Sequence, residues 1–313
     1  MKVFSGRSNP ELSSMICEYL GTNLSQINIS NFKDGEINVE INENIRGKDV
    51  FLIQSTPYPA NDNLMELILT IDAIKRCSPK RITIIAPYLG YSRADRLFGR
   101  SSIGSKVVAD MITNSGADKL ITIDLHSTQT QGFFNINVDN IYASPILIKK
   151  IKELGLNNPI VVSPDVGGVT RARAYAKKLD NIDIAIVDKR RPKAGKAEVM
   201  NLIGKVRGKD CLLIDDMLDS GGTACKAADA LIEQGANSVY MFVTHGVLSD
   251  GAHKRISKSK ITKVFVTDSI RQNGKTEKCD KIEVVSLCDL IGETIRRIHT
   301  NESLQKMFDT MFK

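Results

Sequence analysis

The 313-residue chain contains no tryptophan, only 5% aromatic residues, four histidines and no C-x-x-C pair. So thin an aromatic content argues against a stacking platform for single-stranded nucleic acid. Without paired cysteine spacing, a zinc site or a disulfide framework is not expected. Cys17, Cys77, Cys211, Cys225, Cys279 and Cys288 are scattered, several of them among apolar residues, where a reduced thiol behaves as a small hydrophobe. No apolar run approaches the ~18 residues of a membrane span. The opening MKVFSGRSNPELS loses its apolar character at Arg7 and Pro10, so no signal-peptide core is expected and the protein is read as cytoplasmic.

What is present is a composition of 42% hydrophobic and 25% charged residues, ordinary for a globular chain long enough to bury two cores. The net charge of +7 suits anionic ligands. Because the basic residues are dispersed, phosphorylated small molecules fit better than nucleic acid. Short β-branched runs alternate with helical patterns: DVFLIQS, NLMELILTIDAIKR, RITIIAP, SKVVADMITNSG, KLITIDLH, PILIKKIKELG, PIVVSPD. Strand and helix taking turns implies crossover connections, mostly parallel sheets and an α/β class.

A partial internal repeat supports two tandem domains. RGKDVFLIQST at 46–56 is echoed by RGKDCLLIDDM at 207–217, and each is followed by a helix and then a strand, RITIIAPYLG or NSVYMFVTHG. This agreement favours duplication of one α/β domain. The expected division is an N-terminal domain over 1–144 and a C-terminal domain over 145–313, the latter ending in a helical segment.

The halves differ after the repeated strand. The first copy reads QSTPYPANDN; the second reads DDMLDSGGT, in which Asp215 and Asp216 are expected at the end of the buried strand Leu212–Ile214. Asp219, Ser220, Gly221, Gly222 and Thr223 then turn into the helix TACKAADALIEQG. Glycines let backbone N–H groups converge, and a helix N-terminus adds about half a positive charge, so the turn can hold a phosphate. The carboxylates can accept hydrogen bonds from vicinal sugar hydroxyls or ligate a divalent cation. The stretch therefore reads as a site for a phosphorylated sugar.

An apolar strand, two acidic residues and D-S-G-G-T resemble the phosphoribosyl-diphosphate-binding loop of the type I phosphoribosyltransferase fold. FSGRSNPEL, FKDGEINVEI, TIDLHSTQTQGFF, VVSPDVGG, VDKRRPK and VTHGVLS extend the resemblance over nearly the whole chain. They are similar to one branch of it, the ribose-phosphate diphosphokinases. The resemblance implies two tandem phosphoribosyltransferase-like domains. It also implies a reaction in which the anomeric hydroxyl of ribose 5-phosphate attacks the β-phosphorus of magnesium-bound ATP, giving phosphoribosyl diphosphate and AMP. Such a transfer relies on positioning and charge neutralisation.

Roles follow by position, as implied by the resemblance. Phe32, Asp34 and Glu36 of FKDGE would meet the adenine, in a hairpin that reaches the ATP site of a neighbouring subunit; an oligomer, commonly a hexamer built from dimers, is implied. Arg93, Asp95, Arg96 and His126 would contact ATP, with the N-terminal domain on the ATP side. Asp124, His126 and Asp165 would serve the magnesium ion, with Gly167 and Gly168 allowing close backbone approach. Lys189 and Arg191 of DKRRPK, a basic run placed in a loop after the strand IDIAIVD, would stabilise charge in the transition state. Inorganic phosphate is a possible activator.

The chain departs from the family pattern in GYSRADRLFGRSSIGSK, where Ala94 stands at a glutamine position and Leu97 at a lysine position; the segment is also about two residues short, and Asn135 replaces a common aspartate. Alanine cannot supply the amide hydrogen bonds of glutamine. Two other readings stay open at this point, a synthase-like regulatory subunit without activity and a phosphoribosyltransferase that spends phosphoribosyl diphosphate.

Overall fold

The computed structural model describes residues 1–190, 199–249 and 251–310, with the side chains of 189, 190, 199, 200, 309 and 310 outside the description. Its contacts divide the chain into two units, Met1–Ala143 with Ser269–Arg271 and Ser286–Lys313, and Ser144–Asp268 with Gln272–Val285.

In the first unit, β1 (Lys2–Ser5) leads to α1 (Pro10–Tyr19), a hairpin of β2 (Ile27–Asn31) and β3 (Ile37–Ile41), β4 (Asp49–Ile53), α2 (Ala60–Arg76), β5 (Arg81–Ala86), α3 (Gly104–Ser115), β6 (Lys119–Ile123) and β7 (Asn137–Ile141). The main sheet runs β1-β4-β5-β6-β7, every pair parallel, while β2 and β3 form a separate two-stranded sheet. β4 is buried at every residue, as a central parallel strand covered on both faces must be. Leu52, Ile84 and Leu120 on the sheet meet Leu67, Ile71 and Ile112 on the helices to build the core. α1 starts where Pro10 fixes a helical φ and Asn9 Oδ1 accepts from Leu12 N at 3.3 Å.

The second unit repeats that order. It begins with α4 (Ser144–Glu153), followed by β8 (Pro159–Ser163), α5 (Val169–Lys178), β9 (Ile184–Arg190), β10 (Val199–Ile203), β11 (Asp210–Leu218), α6 (Gly222–Glu233), β12 (Ser238–Gly246), α7 (Ala252–Lys258), β13 (Lys263–Thr267) and β14 (Ile282–Val285). Its sheet runs β10-β9-β8-β11-β12-β13-β14, parallel except for the antiparallel pair β10–β9. Dropping β9 and β10 leaves 8-11-12-13-14, which superimposes in order on 1-4-5-6-7. The match extends to single bonds: Lys48 N donates to Ile45 O and Lys209 N to Val206 O, both at 3.0 Å, with Gly47 and Gly208 at φ +68° and +69°. The RGKD repeat thus marks one structural turn used twice, in two tandem α/β halves.

Two expectations need correcting. The C-terminal helices α8 (Cys288–His299) and α9 (Leu304–Thr310), placed by sequence with the second half, group with the first unit. α8 lies on α1, where the Tyr19 hydroxyl reaches Glu293 Oε2 at 3.4 Å, whereas α4, which follows the last strand of the first half, pairs through Lys150 with Glu283 of β14 at 2.7 Å. Each half's closing helix therefore belongs to the other unit. The second correction is that β11 runs on to Leu218, so Asp215 and Asp216 lie within it rather than at its end. The cause is pairing: the ladder to β8 stops at Leu213, opposite Val162, while β12 continues alongside to Gly246.

Candidate active site

In the second unit the candidate residues gather at the carboxyl ends of β8 and β11, the edge where parallel sheets take ligands. Because β8 ends short of it, the Asp215–Asp216 segment emerges beside the β8–α5 turn. Arg171, on the first turns of α5, donates from Nη1 to Asp216 Oδ1 at 2.8 Å and to Asp215 Oδ1 at 3.3 Å. Asp216 N also donates to Asp215 Oδ1 at 2.9 Å. The Asp216 side chain is only 7% exposed and that of Asp215 27%. Burial, followed by the negative charge of Asp216, pushes the Asp215 carboxyl up to about 8. At neutral pH the pair therefore keeps one proton, and Arg171 balances the charge that is left.

Arg171 is the residue that sequence reasoning missed. Its only linear signal is its position shortly after the SPDVGG turn, on a helix whose partner strand lies over forty residues away.

Past Leu218 the chain turns into α6. Asp219 Oδ1 accepts from the Ser249 hydroxyl, and the Arg255 guanidinium donates to the Ser220 carbonyl. Lys275 donates from Nζ to Val247 O at 2.8 Å; burial pushes its pKa down, opposed by the charge of Asp219. Gly221 is the N-cap at φ +78°, left-handed backbone that favours glycine, and it has no side chain of its own with which to cap the helix. The N–H groups of Gly222 and Thr223 open α6 behind this glycine, and a helix N-terminus favours an anion.

Asp165 is exposed in the β8–α5 turn; its Oδ1 accepts from Gly168 N at 2.9 Å and its carbonyl from the Ser163 hydroxyl at 2.7 Å. The basic run begins inside a strand, not after one: Lys189 pairs with Met200 in the β9–β10 ladder. The Lys189 side chain and the whole of Arg191 lie outside the described residues.

In the first unit, candidate residues follow three strands. Phe32 is 57% exposed at the tip of the β2–β3 hairpin, where its N–H donates to Glu36 O at 2.8 Å and Asp34 Oδ1 accepts from Glu36 N at 3.2 Å. Arg93, Asp95 and Arg96 sit in the loop after β5. Asp95 accepts from Arg96 Nε at 2.9 Å, and it is held below the usual carboxylate range by Arg96 first and then by the Ser127 hydroxyl. Ser127 lies in the loop after β6, where its hydroxyl donates to Gln129 Oε1 at 2.8 Å and which also carries exposed His126. Asp124 has φ +41° and is buried, with Oδ2 accepting from Ala143 N at 3.0 Å. Its carboxylate is at least partly occupied in holding the chain after β7.

Among the described residues no three His, Cys, Asp or Glu side chains converge as a metal cage. That donor set is compatible with magnesium, which keeps several waters and is held by one or two carboxylates together with substrate phosphates.

Comparison with known proteins bears on both units. Residues 1–116 match the model of the N-terminal domain of ribose phosphate pyrophosphokinase, and residues 189–309 that of the phosphoribosyl synthetase-associated domain. The ribose-phosphate pyrophosphokinase of Agrobacterium fabrum is 53% identical over 99% of this chain and 100% of its own length. That of Vibrio parahaemolyticus is 52% identical over 99% of each chain. A solved phosphoribosylpyrophosphate synthetase from Mycobacterium smegmatis aligns with a TM-score of 0.90 at 38% identity, covering 96% of this chain and 99% of that one. With relatives matched end to end, the chain belongs to the ribose-phosphate pyrophosphokinase family.

Proposed function

We propose that the protein transfers the pyrophosphoryl group of ATP to the anomeric hydroxyl of ribose 5-phosphate, forming 5-phosphoribosyl 1-diphosphate and AMP. The observation that carries this reading is the pair of buried Asp216 and half-buried Asp215 beside the glycine-capped start of α6, in a chain matched over its full length by ribose-phosphate pyrophosphokinases. The N–H groups of Gly222 and Thr223, with the Ser220 and Thr223 hydroxyls, hold the 5-phosphate. Asp215, Asp216 and Asp219 face the sugar hydroxyls. Ribose binding draws the retained proton off the pair, because a carboxylate that accepts from hydroxyls favours its ionised form.

Phe32, Asp34 and Glu36 take the adenine, by stacking and by accepting from its amino group, while Arg93, Arg96 and His126 take the phosphate chain. Asp95, bonded to Arg96, orients that set. Lys189 and Arg191 supply charge where it builds in the transition state. Asp124, His126 and Asp165 are the residues proposed to serve a magnesium ion, which when bound would offset the charge of the transferring phosphates. We place the enzyme in the cytoplasm as a homo-oligomer, a hexamer built from dimers, in which the FKDGE hairpin serves a neighbouring subunit. Phosphate is proposed as an activator.

Incubation with ATP, magnesium and ribose 5-phosphate tests this reading by following AMP. Stoichiometric AMP and phosphoribosyl diphosphate are expected. ADP as product, or no turnover despite bound substrates, would overturn it.

A further inference from the structure

Arg7 falls in the FSGRSNPEL segment but has been given no role above, and it sits at the junction of three elements of the first unit. Its backbone N–H donates to Glu66 Oε1 at 2.7 Å and its Nε to Glu66 Oε2 at 2.6 Å. Its Nη1 donates to Asn31 Oδ1 at 2.7 Å, at the end of β2, and Asn31 Nδ2 donates in turn to Gly35 O at 3.0 Å in the hairpin tip.

The inner end of this chain is rigid. Glu66, on α2, is 3% exposed and also accepts from Gln54 Nε2 at 3.1 Å, while Gln54 Oε1 accepts from Ser8 N at 3.1 Å. Gly6 makes the close approach possible: a Cβ there would lie 2.1 Å from Gln54 Oε1. A guanidinium with Nε and backbone N–H committed to one buried carboxylate has little freedom left, so its outer nitrogen is aimed.

The hairpin needs such an anchor. Its two strands pair only with each other, and its residues are half-buried or exposed. A two-stranded ribbon alone is marginally stable in water. The geometry points to Arg7 as a positioning residue that fixes the hairpin tip, and with it Phe32, Asp34 and Glu36, for the nucleotide; the role rests on the reading of this hairpin as the adenine contact. Lysine at position 7 would offer a single ammonium to Glu66 and lose the aimed second bond.

The test uses the full-length protein with Asn31→Ala and Arg7→Lys. Both leave a donor at Glu66, so the buried carboxylate is not stranded. Two readouts are taken. Hydrogen exchange at the amides of Phe32 and Gly35, which bond across the tip to Glu36 O and Phe32 O, reports its order. Steady-state kinetics report KM for ATP and for ribose 5-phosphate. Either variant should speed those two amides and raise KM for ATP by about tenfold, the worth of one charge-assisted hydrogen bond. KM for ribose 5-phosphate should stay within about twofold, and the double variant should be no worse than the poorer single, since both cut one link.

Unchanged tip exchange overturns the positioning role. Faster exchange with an unchanged KM for ATP, or an equal rise in both KM values, overturns its link to nucleotide while leaving the enzyme assignment standing. Wild-type protein that forms no AMP refutes the enzyme assignment, and exchange at Phe32 and Gly35 then still decides whether Arg7 orders the tip.

Discussion

Arg171→Met is the perturbation most closely tied to the geometry of the acidic strand. It keeps the aliphatic bulk on α5 and removes the guanidinium that lies 2.8 Å from Asp216 and 3.3 Å from Asp215. Removing one partner of a buried ion pair costs about 3–5 kcal/mol. Arg171 and Asp215 remain 25% and 27% exposed, so solvent screening reduces the expected loss to about 2–3 kcal/mol. The sign of its pH dependence follows from the raised Asp215 pKa. The folded pair binds a proton that the unfolded chain has already released above about pH 4, so its protonated form adds stability at low pH, and that stability is lost as pH rises through about 8. In the wild type Arg171 is what makes the second ionisation tolerable. Without it, the deficit widens toward alkaline pH. Calorimetric melting at about pH 6 and about pH 9 should show the transition of the unit carrying β11 falling by roughly 5–10 °C, with the larger drop at the higher pH. A drop below about 2 °C at both, or a larger one at the acid end, would refute the view of Arg171 as counter-ion to the pair.

The same proton predicts that ribose 5-phosphate binding at neutral pH releases close to one proton and that release vanishes about two pH units above the Asp215 value of about 8; titration calorimetry in buffers of different ionisation enthalpy measures this, and no release at neutral pH would contradict it. Lys189→Ala should lower kcat by about tenfold or more with a smaller change in KM; a raised KM at near-normal kcat would sink the transition-state role. Gly221→Ala should weaken ribose 5-phosphate binding, because φ +78° costs a Cβ-bearing residue about 1–2 kcal/mol, whereas Gly221→Asn should lose less; the Cβ itself would meet only ordinary contact, 3.6 Å from Ile256 Cγ1, so equal losses for Ala and Asn would mean that backbone strain is not the cause.

Much of this arrangement is legible in one dimension because it is local. Continuous runs such as DVFLI and CLLI announce buried parallel strands, and D-S-G-G-T announces a turn into a helix whose N–H groups need a partner. The repeated RGKD is legible because one tight turn needs the same residues twice. What escapes is what depends on a second element arriving from elsewhere. Nothing in LLIDDML shows that its ladder to β8 stops at Leu213 while β12 runs on, yet that difference is what leaves Asp215 and Asp216 inside a strand. An amphipathic α8 declares that it must bury a face but not against which half. Arg171 and Arg7 look like surface cations until the carboxylates of Asp216 and Glu66 are placed against them.

The repeat also accounts for the two segments whose roles the sequence could only borrow from a resemblance. In the first half, β2 and β3 stand between α1 and β4; in the second, β9 and β10 stand between α5 and β11. One hairpin carries FKDGE at its tip, and the other has Lys189 in its first strand just before the basic run continues. Their structural difference is in pairing. β9 joins β8 through Val161, Val162 and Ser163, so its ladder is anchored to a seven-stranded sheet, whereas β2 and β3 pair with nothing else. A hairpin held by sheet bonds needs no side-chain anchor along its strands. One released from the sheet must be held by side chains or it will sample many orientations. The Glu66–Arg7–Asn31 chain occurs in the half where sheet pairing is absent, and it occupies the end of the strand from which the tip departs. Duplication thus supplied two copies of one projecting ribbon, and the loss of backbone pairing in one of them explains why a buried carboxylate and an arginine are spent on holding it.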